Sequence, residues 1–200
     1  MIKTIILDFG GVVFTEGADD FMRKMTEVYN VSFDQVLDVL KGSVGRRHRS
    51  GKTTFAEFWD SFNQLLGIQE DPMLLSIMWA ECYIPMPGMF VLVDDLRKAG
   101  YRVIYLSNNM EERTSYLEQK YHFKEKFDDG VFSYVVQANK PDEEIYRAAL
   151  NIANADPEEC VFVDDKEYYL PPARTLGMRA LSFVSVEKLR EDLRSLGVVF

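Results

Sequence analysis

The chain has 200 residues with 32 acidic against 23 basic side chains, a net charge of -9, and is 47% hydrophobic and 28% charged. This composition excludes a disordered chain, and the acidic balance argues against a surface that holds a nucleic-acid backbone. A chain of this length can bury roughly 70% of its extended surface, so it needs neither disulfides nor metal to fold.

The first element is the apolar run IIL, which ends in Asp8 and is followed by Gly10 and Gly11. A run apolar on both faces predicts a parallel strand covered by helices. From Thr15 to Pro87 the apolar spacing changes to three and four residues: Phe21, Met25 and Val28, then Phe33, Val36, Leu37 and Leu40, then Phe55, Phe58, Trp59, Phe62 and Leu66. That spacing predicts a helical subdomain whose aromatics are core. Cys82 stands late in this stretch, far from Cys160 and with no CxxC spacing, so both read as reduced thiols near the core.

Strand and helix alternation resumes at Pro87. The pattern predicts a helix over 90–98 stopped by Gly100, a strand over 102–106, a helix over 112–121, a strand near 131–136 and a helix from 142 to 150. A strand over 161–163, a helix over 171–176, a strand over 178–183 and a last helix over 186–195 complete the series. Such repeats predict an α/β, doubly wound parallel sheet. The expected organisation is a Rossmann-like core from residues 1–14 and 88–200, with an inserted helical cap at 15–87. The N-terminus shows no signal segment and there is no 18-residue apolar run, so the expected location is the cytoplasm, without a membrane partner.

In open parallel sheets, ligands bind beyond the carboxyl ends of the strands. Four strands here end in polar groups: Asp8, Ser107 with Asn108, the loop carrying Lys140, and Asp164 with Asp165. Singly, each has an ordinary explanation as a cap, a turn former or a solvated side chain. Two adjacent carboxylates at one strand end are harder to explain, because like charges cost stability unless a cation offsets them. Asp8, Asp164 and Asp165 offer hard oxygen ligands that suit Mg2+, and there is no Cys or His cluster for Zn2+. Lys140 could neutralise a bound anion, Ser107 could donate to it, and the Gly10 and Gly11 amides could form a small anion nest. This inventory suits in-line attack of a carboxylate on a phosphoryl group.

DFGGV, LSNN, NKPDEEIY and FVDD followed by ARTLGM resemble the four signatures of the haloacid dehalogenase-like hydrolase superfamily. The likeness is to subfamily I, whose helical C1 cap follows the first strand. It implies Asp8 as nucleophile and Mg2+ ligand, Gly10 as a carbonyl ligand, and Asp164 as a ligand supported by Asp165. It further implies that Ser107, with the Asn108 region, binds the phosphoryl oxygens and that Lys140 holds nucleophile and phosphate together. Phosphatases of that family usually carry a second Asp two positions after the nucleophile, and Gly10 stands there, so the resemblance is to a phosphatase-like branch without that acid. General acid catalysis typically supplies about 100- to 10,000-fold, so the expected substrate has a good leaving group, such as a sugar 1-phosphate or an acyl phosphate. The alternatives are a non-catalytic or weakly active member that binds a phosphate ligand or a protein, and a metal-free haloacid dehalogenase, against which the acidic pair speaks. The expected partner is a small phosphorylated metabolite and the expected assembly a monomer or homodimer.

GRRHRSGKTT, residues 45–54, is the one basic cluster. Its SGKT suggests a phosphate loop, but the position five before the GK glycine is Arg46 and no strand leads in, so that reading is rejected. Arg46, Arg47, His48, Arg49 and Lys52 could face the active site and select an anionic substrate, with His48 a candidate replacement proton donor because its ordinary pKa lies near neutrality. A charged helix end and solvated turn is the plainer alternative. Tyr168 and Tyr169 are expected to pack or line a rim.

Overall fold

The computed structural model describes all 200 residues. Strand β1 (Thr4–Leu7) leads into five helices, α1 (Gly17–Tyr29), α2 (Phe33–Lys41), α3 (Ser43–Arg49), α4 (Phe55–Leu66) and α5 (Pro72–Ala80). Helix α6 (Met89–Lys98) then returns the chain to the sheet, followed by β2 (Arg102–Ser107), α7 (Glu111–Tyr121), β3 (Asp129–Phe132) and α8 (Ser133–Val136). Helix α9 (Glu143–Ala153), β4 (Cys160–Asp164), α10 (Leu170–Thr175), β5 (Arg179–Ser182) and α11 (Val186–Ser195) complete it. No helix is long and apolar enough to cross a membrane.

The five strands are all parallel, in the order β3-β2-β1-β4-β5. The first strand is therefore central, and the order reverses on either side of it. Leu7 is in register with Tyr105 of β2 and Val163 of β4, so the next residues of the three strands emerge together. That is the position at which open sheets bind ligands.

Strand alternation divides the core. Ile6, Ile104, Leu106 and Phe162 face Tyr146, Ala149 and Ala173 on one side. Ile5, Leu7, Val103, Tyr105 and Val161 face the other, in an apolar cluster that runs on into Phe21, Phe58, Trp59 and Phe62 of the inserted helices. Each such buried side chain contributes about 1.5–3 kcal/mol. The helices start where side chains satisfy their free amides: Ser32 with Gln35 and Thr54 with Glu57 form capping boxes, and Asp71 caps α5 ahead of Pro72.

One element departs from the sequence reading. The strand expected through Val136 stops at Phe132, and residues 133–136 turn into the short helix α8. The β-branched pair Val135 and Val136 suggested a strand, but the ladder with β2 ends at Ser107 against Phe132. Ser133 is held instead by tertiary bonds, accepting from the Asn109 amide at 2.9 Å and donating to the Arg49 carbonyl at 2.5 Å.

The chain leaves and re-enters the sheet domain along paired segments. Thr15 donates to the Ile84 carbonyl at 2.8 Å and Met86 to the Val13 carbonyl at 2.9 Å, so the outgoing and incoming linkers lie side by side.

Candidate active site

Asp8 continues β1, held by its amide on the Val163 carbonyl at 2.8 Å, and is 6% exposed. Its Oδ1 accepts from the Phe9 amide at 2.7 Å and the Lys140 ammonium at 2.8 Å. No protein donor reaches Oδ2, which leaves that oxygen without a partner in the protein. Lys140 Nζ also donates to Asp164 Oδ2 at 2.5 Å, and Asp164 Oδ1 accepts from the Lys166 amide at 2.9 Å.

Asn108 explains how Lys140 is fixed. Its Oδ1 accepts from the Lys140 amide at 2.7 Å and its Nδ2 donates to the Lys140 carbonyl at 3.0 Å. A side-chain amide that occupies both backbone groups of one residue sets that residue's position, although Asn108 also lines the cavity above Asp8. Ser107 is 2% exposed and accepts a long bond from Asn109 at 3.4 Å, so its own hydroxyl hydrogen is uncommitted.

Ligand oxygens of Asp8, Asp164 and Asp165 lie within 4.8 Å of one another. An octahedral hard cation with ligands at roughly 2.1 Å spaces opposite ligands about 4.2 Å apart, so a small contraction would close the set. Asp165 Oδ1 is buried and accepts no hydrogen bond from the protein, as suits an oxygen that holds a cation. The donor set is all oxygen, which suits such a cation.

The electrostatics agree. Burial first, and then the Asp164 charge, push the Asp8 carboxyl up to about 8 against the pull of Lys140. Burial chiefly raises Asp165 as well. Lys140 is raised despite its burial, because Asp164 and Asp8 favour its charged form. Two buried carboxylates and one ammonium carry an excess negative charge that a proton or a metal must balance.

Three expected substrate contacts are placed elsewhere. The Gly11 amide is consumed by the Phe14 carbonyl at 2.7 Å, so it is not free to bind an anion. Its φ is +90°, and a Cβ there would come within 2.5 Å of the Asp165 carboxylate, so glycine is required to admit that side chain. His48 is buried outside the cavity, stacked on Phe58 with centroids 4.2 Å apart and bonded through Nε2 to Glu112 at 2.7 Å. Arg47 lies on the exposed side of α3, where Nη2 donates to the Lys52 carbonyl. One helical turn decides this: residues 46 and 49 share the face that lines the cavity, and 47 and 48 do not.

The cavity has a volume of about 430 Å³. Tyr168 and Tyr169 line it, as do Arg46 and Arg49. Tyr83, Arg113 and Lys166 also line it and gave no sequence signal. Arg113 sits in a charge-rich helix whose pattern does not distinguish it, and Tyr83 lies in the return linker.

Residues 2–177 match the model of the haloacid dehalogenase-like hydrolases. The chain belongs to that family. It is 28% identical to an uncharacterized Dictyostelium discoideum protein over 144 residues, 70% of this chain and 62% of that one. The chain thus spans less than two thirds of that curated relative. Its fold is similar to that of a HAD-like family hydrolase from Porphyromonas gingivalis, with a TM-score of 0.84, 22% identity and all of both chains covered. It is similar also to a HAD family enzyme from Bacteroides thetaiotaomicron solved with magnesium and inorganic phosphate, with a TM-score of 0.78, 23% identity, and 94% of this chain and 99% of that one covered. The haloacid dehalogenase-like core with an inserted helical cap is the architecture of this chain.

Proposed function

We propose that the protein is a Mg2+-dependent phosphatase of a small phosphorylated metabolite, acting through an aspartyl-phosphate on Asp8. The observation that carries this reading is the Lys140 ammonium bridging Asp8 and Asp164, with Asp8 Oδ2 free and the unpartnered Asp165 Oδ1 in the same cluster. Asp8, Asp164 and Asp165, with the Gly10 carbonyl, would hold Mg2+, which when bound supplies positive charge against the phosphoryl oxygens. The magnesium and phosphate bound by the Bacteroides enzyme support the choice of ion and ligand.

In the first half-reaction Asp8 Oδ2 attacks phosphorus, the new O–P bond forming as the ester or anhydride oxygen departs with its electron pair. Lys140 and the Ser107 hydroxyl donate to the equatorial oxygens as charge builds. Water then attacks phosphorus, the Asp8–phosphate bond breaks, and inorganic phosphate leaves. The departing oxygen needs a proton or a low basicity, and Gly10 offers no side chain to protonate it. A Cβ at position 10 would stand 3.2 Å from Tyr83 Cε1, so a side chain there would require the ring to give way. This supports a sugar 1-phosphate or acyl phosphate as substrate and a place in the phosphatase-like branch of subfamily I. It equally favours a second reading, a weakly active or non-catalytic phosphate binder. The acidic cluster opposes metal-free dehalogenation.

The proposed domain division is a core of 1–14 and 88–200 and a C1 cap of 15–87. A panel of phosphorylated metabolites assayed with Mg2+ and with chelator, alongside D8N, tests the reading. Turnover of at least one anomeric or acyl phosphate, lost in chelator and in D8N, is expected. Phosphate release retained by D8N, or none from any substrate, overturns it.

A further inference from the structure

Two arginines over the active site have no acidic partner. Arg113 of α7 is 3% exposed, its guanidinium 4.5 Å from the ring centroids of both Trp79 and Tyr83. Its Nε donates to Asn109 and its Nη1 to the Tyr83 hydroxyl, both at 2.7 Å, so Nη2 makes no bond within the protein. Arg49 of α3, half-buried, uses only Nη1, on the Leu40 carbonyl at 2.7 Å. Neither guanidinium has a carboxylate within 4.0 Å, whereas Arg46 of the same helix is held by both oxygens of Asp142 at 2.7 and 2.8 Å. Glu16, which feels the Arg113 charge, is already engaged by Lys166 at 2.6 Å.

Bringing two like charges out of water and towards each other is unfavourable, and burial together with Arg113 lowers the Arg49 pKa. Charges so held, with N–H groups unspent, are arranged for an anion that arrives with a ligand. The phosphoryl group itself has Lys140 and the acidic cluster. Arg113 is anchored on α7 and Arg49 on the inserted helices, and both line the one cavity, close enough for the charge of one to be felt at the other.

We propose that Arg49 and Arg113 form a second anion site, so that the substrate carries a carboxylate or phosphate in addition to the phosphoryl group that is removed. The inference rests on the phosphatase reading for its account of the first anion and extends it to the substrate's other end. Two charge-assisted contacts of this kind raise affinity roughly 10- to 100-fold. The free charges lie in a cavity that admits only a small molecule, so the two anions belong to one compact metabolite.

Binding of non-hydrolysable probes to the full chain with Mg2+, by isothermal titration calorimetry, tests the site. Methylphosphonate carries one anion; phosphonoacetate and 3-phosphonopropionate add a carboxylate, and methylenediphosphonate adds a phosphonate. At least one two-anion probe is expected to bind roughly 10-fold or more tightly than methylphosphonate, the better arm identifying carboxylate or phosphate as the second group. Arg49→Met is expected to reduce that preference to within about 3-fold, and Arg49→Lys to restore part of it. Arg49 is the variant of choice because Arg113 is enclosed by aromatic rings. Equal affinities for all probes, or a preference undiminished in Arg49→Met, overturns the proposal. If phosphate esters turn over without any two-anion preference, the second site fails and the phosphatase reading stands. If the preference exists but no ester turns over, the phosphatase reading fails and the site stands.

Discussion

Lys140 is the residue on which most of the buried charge depends. Removing one partner of a buried ionic cluster costs about 3–5 kcal/mol, because the others are left uncompensated. Lys140→Met should therefore melt well below the wild type in chelator and lose at least about 1,000-fold in turnover, through the lost stabilisation of the phosphoryl oxygens. Mg2+ should raise the melting temperature of the variant more than that of the wild type, since the metal replaces the missing charge; equal gains would show that Lys140 is not the counterion of the cluster. Asp8 gives a second prediction. The folded chain keeps a proton near Asp8 up to about 8, whereas an unfolded aspartate releases it near about 3.9. The folded state thus binds more protons between those values, and its stability without metal should fall as pH rises through that window. Mg2+ binding expels the proton, so the Mg2+-induced rise in melting temperature should be larger at pH 8 than at pH 5.5, as scanning calorimetry can read directly. A gain independent of pH would contradict this account of the cluster.

At the scale of elements, the loop after β1 is shaped by its neighbours more than by local propensity. Gly11 combines a left-handed backbone with the approach of Asp165. Gly11→Ala should cost roughly 1–3 kcal/mol from backbone strain alone, and Mg2+ affinity should fall as well because the Asp165 carboxylate must move. Full Mg2+ affinity in a folded Gly11→Ala chain would exclude that coupling. The convergence of Asp8, Ser107 and Asp164 was legible in the sequence because each follows an apolar strand and parallel strands align their ends; Lys140 was expected after a strand through Val136, but reaches the same place through α8 and its bonds to Asn108. Helix α3 was less legible. Its basic run was visible, but which side chains turn inward depends on the phase of a seven-residue helix, fixed by long-range bonds from Asn139 to the Arg46 carbonyl and from Ser133 to the Arg49 carbonyl. Arg113 and Tyr83 were invisible for a related reason: their importance comes from partners distant in the chain.

For the whole molecule, the apolar cluster that spans sheet and inserted helices predicts joint unfolding. The His48 to Glu112 contact between α3 and α7 reinforces it. His48→Ala removes a stacked ring and strands a partly buried carboxylate, a loss of about 1–3 kcal/mol, yet calorimetry should still show one transition at a lower temperature. Two resolved transitions would mean that the parts hold together less firmly than the shared core implies. The alternation of strands and helices along the chain was legible from periodicity, whereas the order of the strands in the sheet and the continuity of the core across the insertion were not, since periodicity gives faces and not their partners.

The paired segments at 13–15 and 84–86 carry a further consequence. Because departure and return are stitched together by main-chain bonds, everything between them is an excursion that begins and ends at one doorway. Changes of length within that excursion leave both anchor points where they are, and reach the five strands only through the core that the sheet shares with the inserted helices.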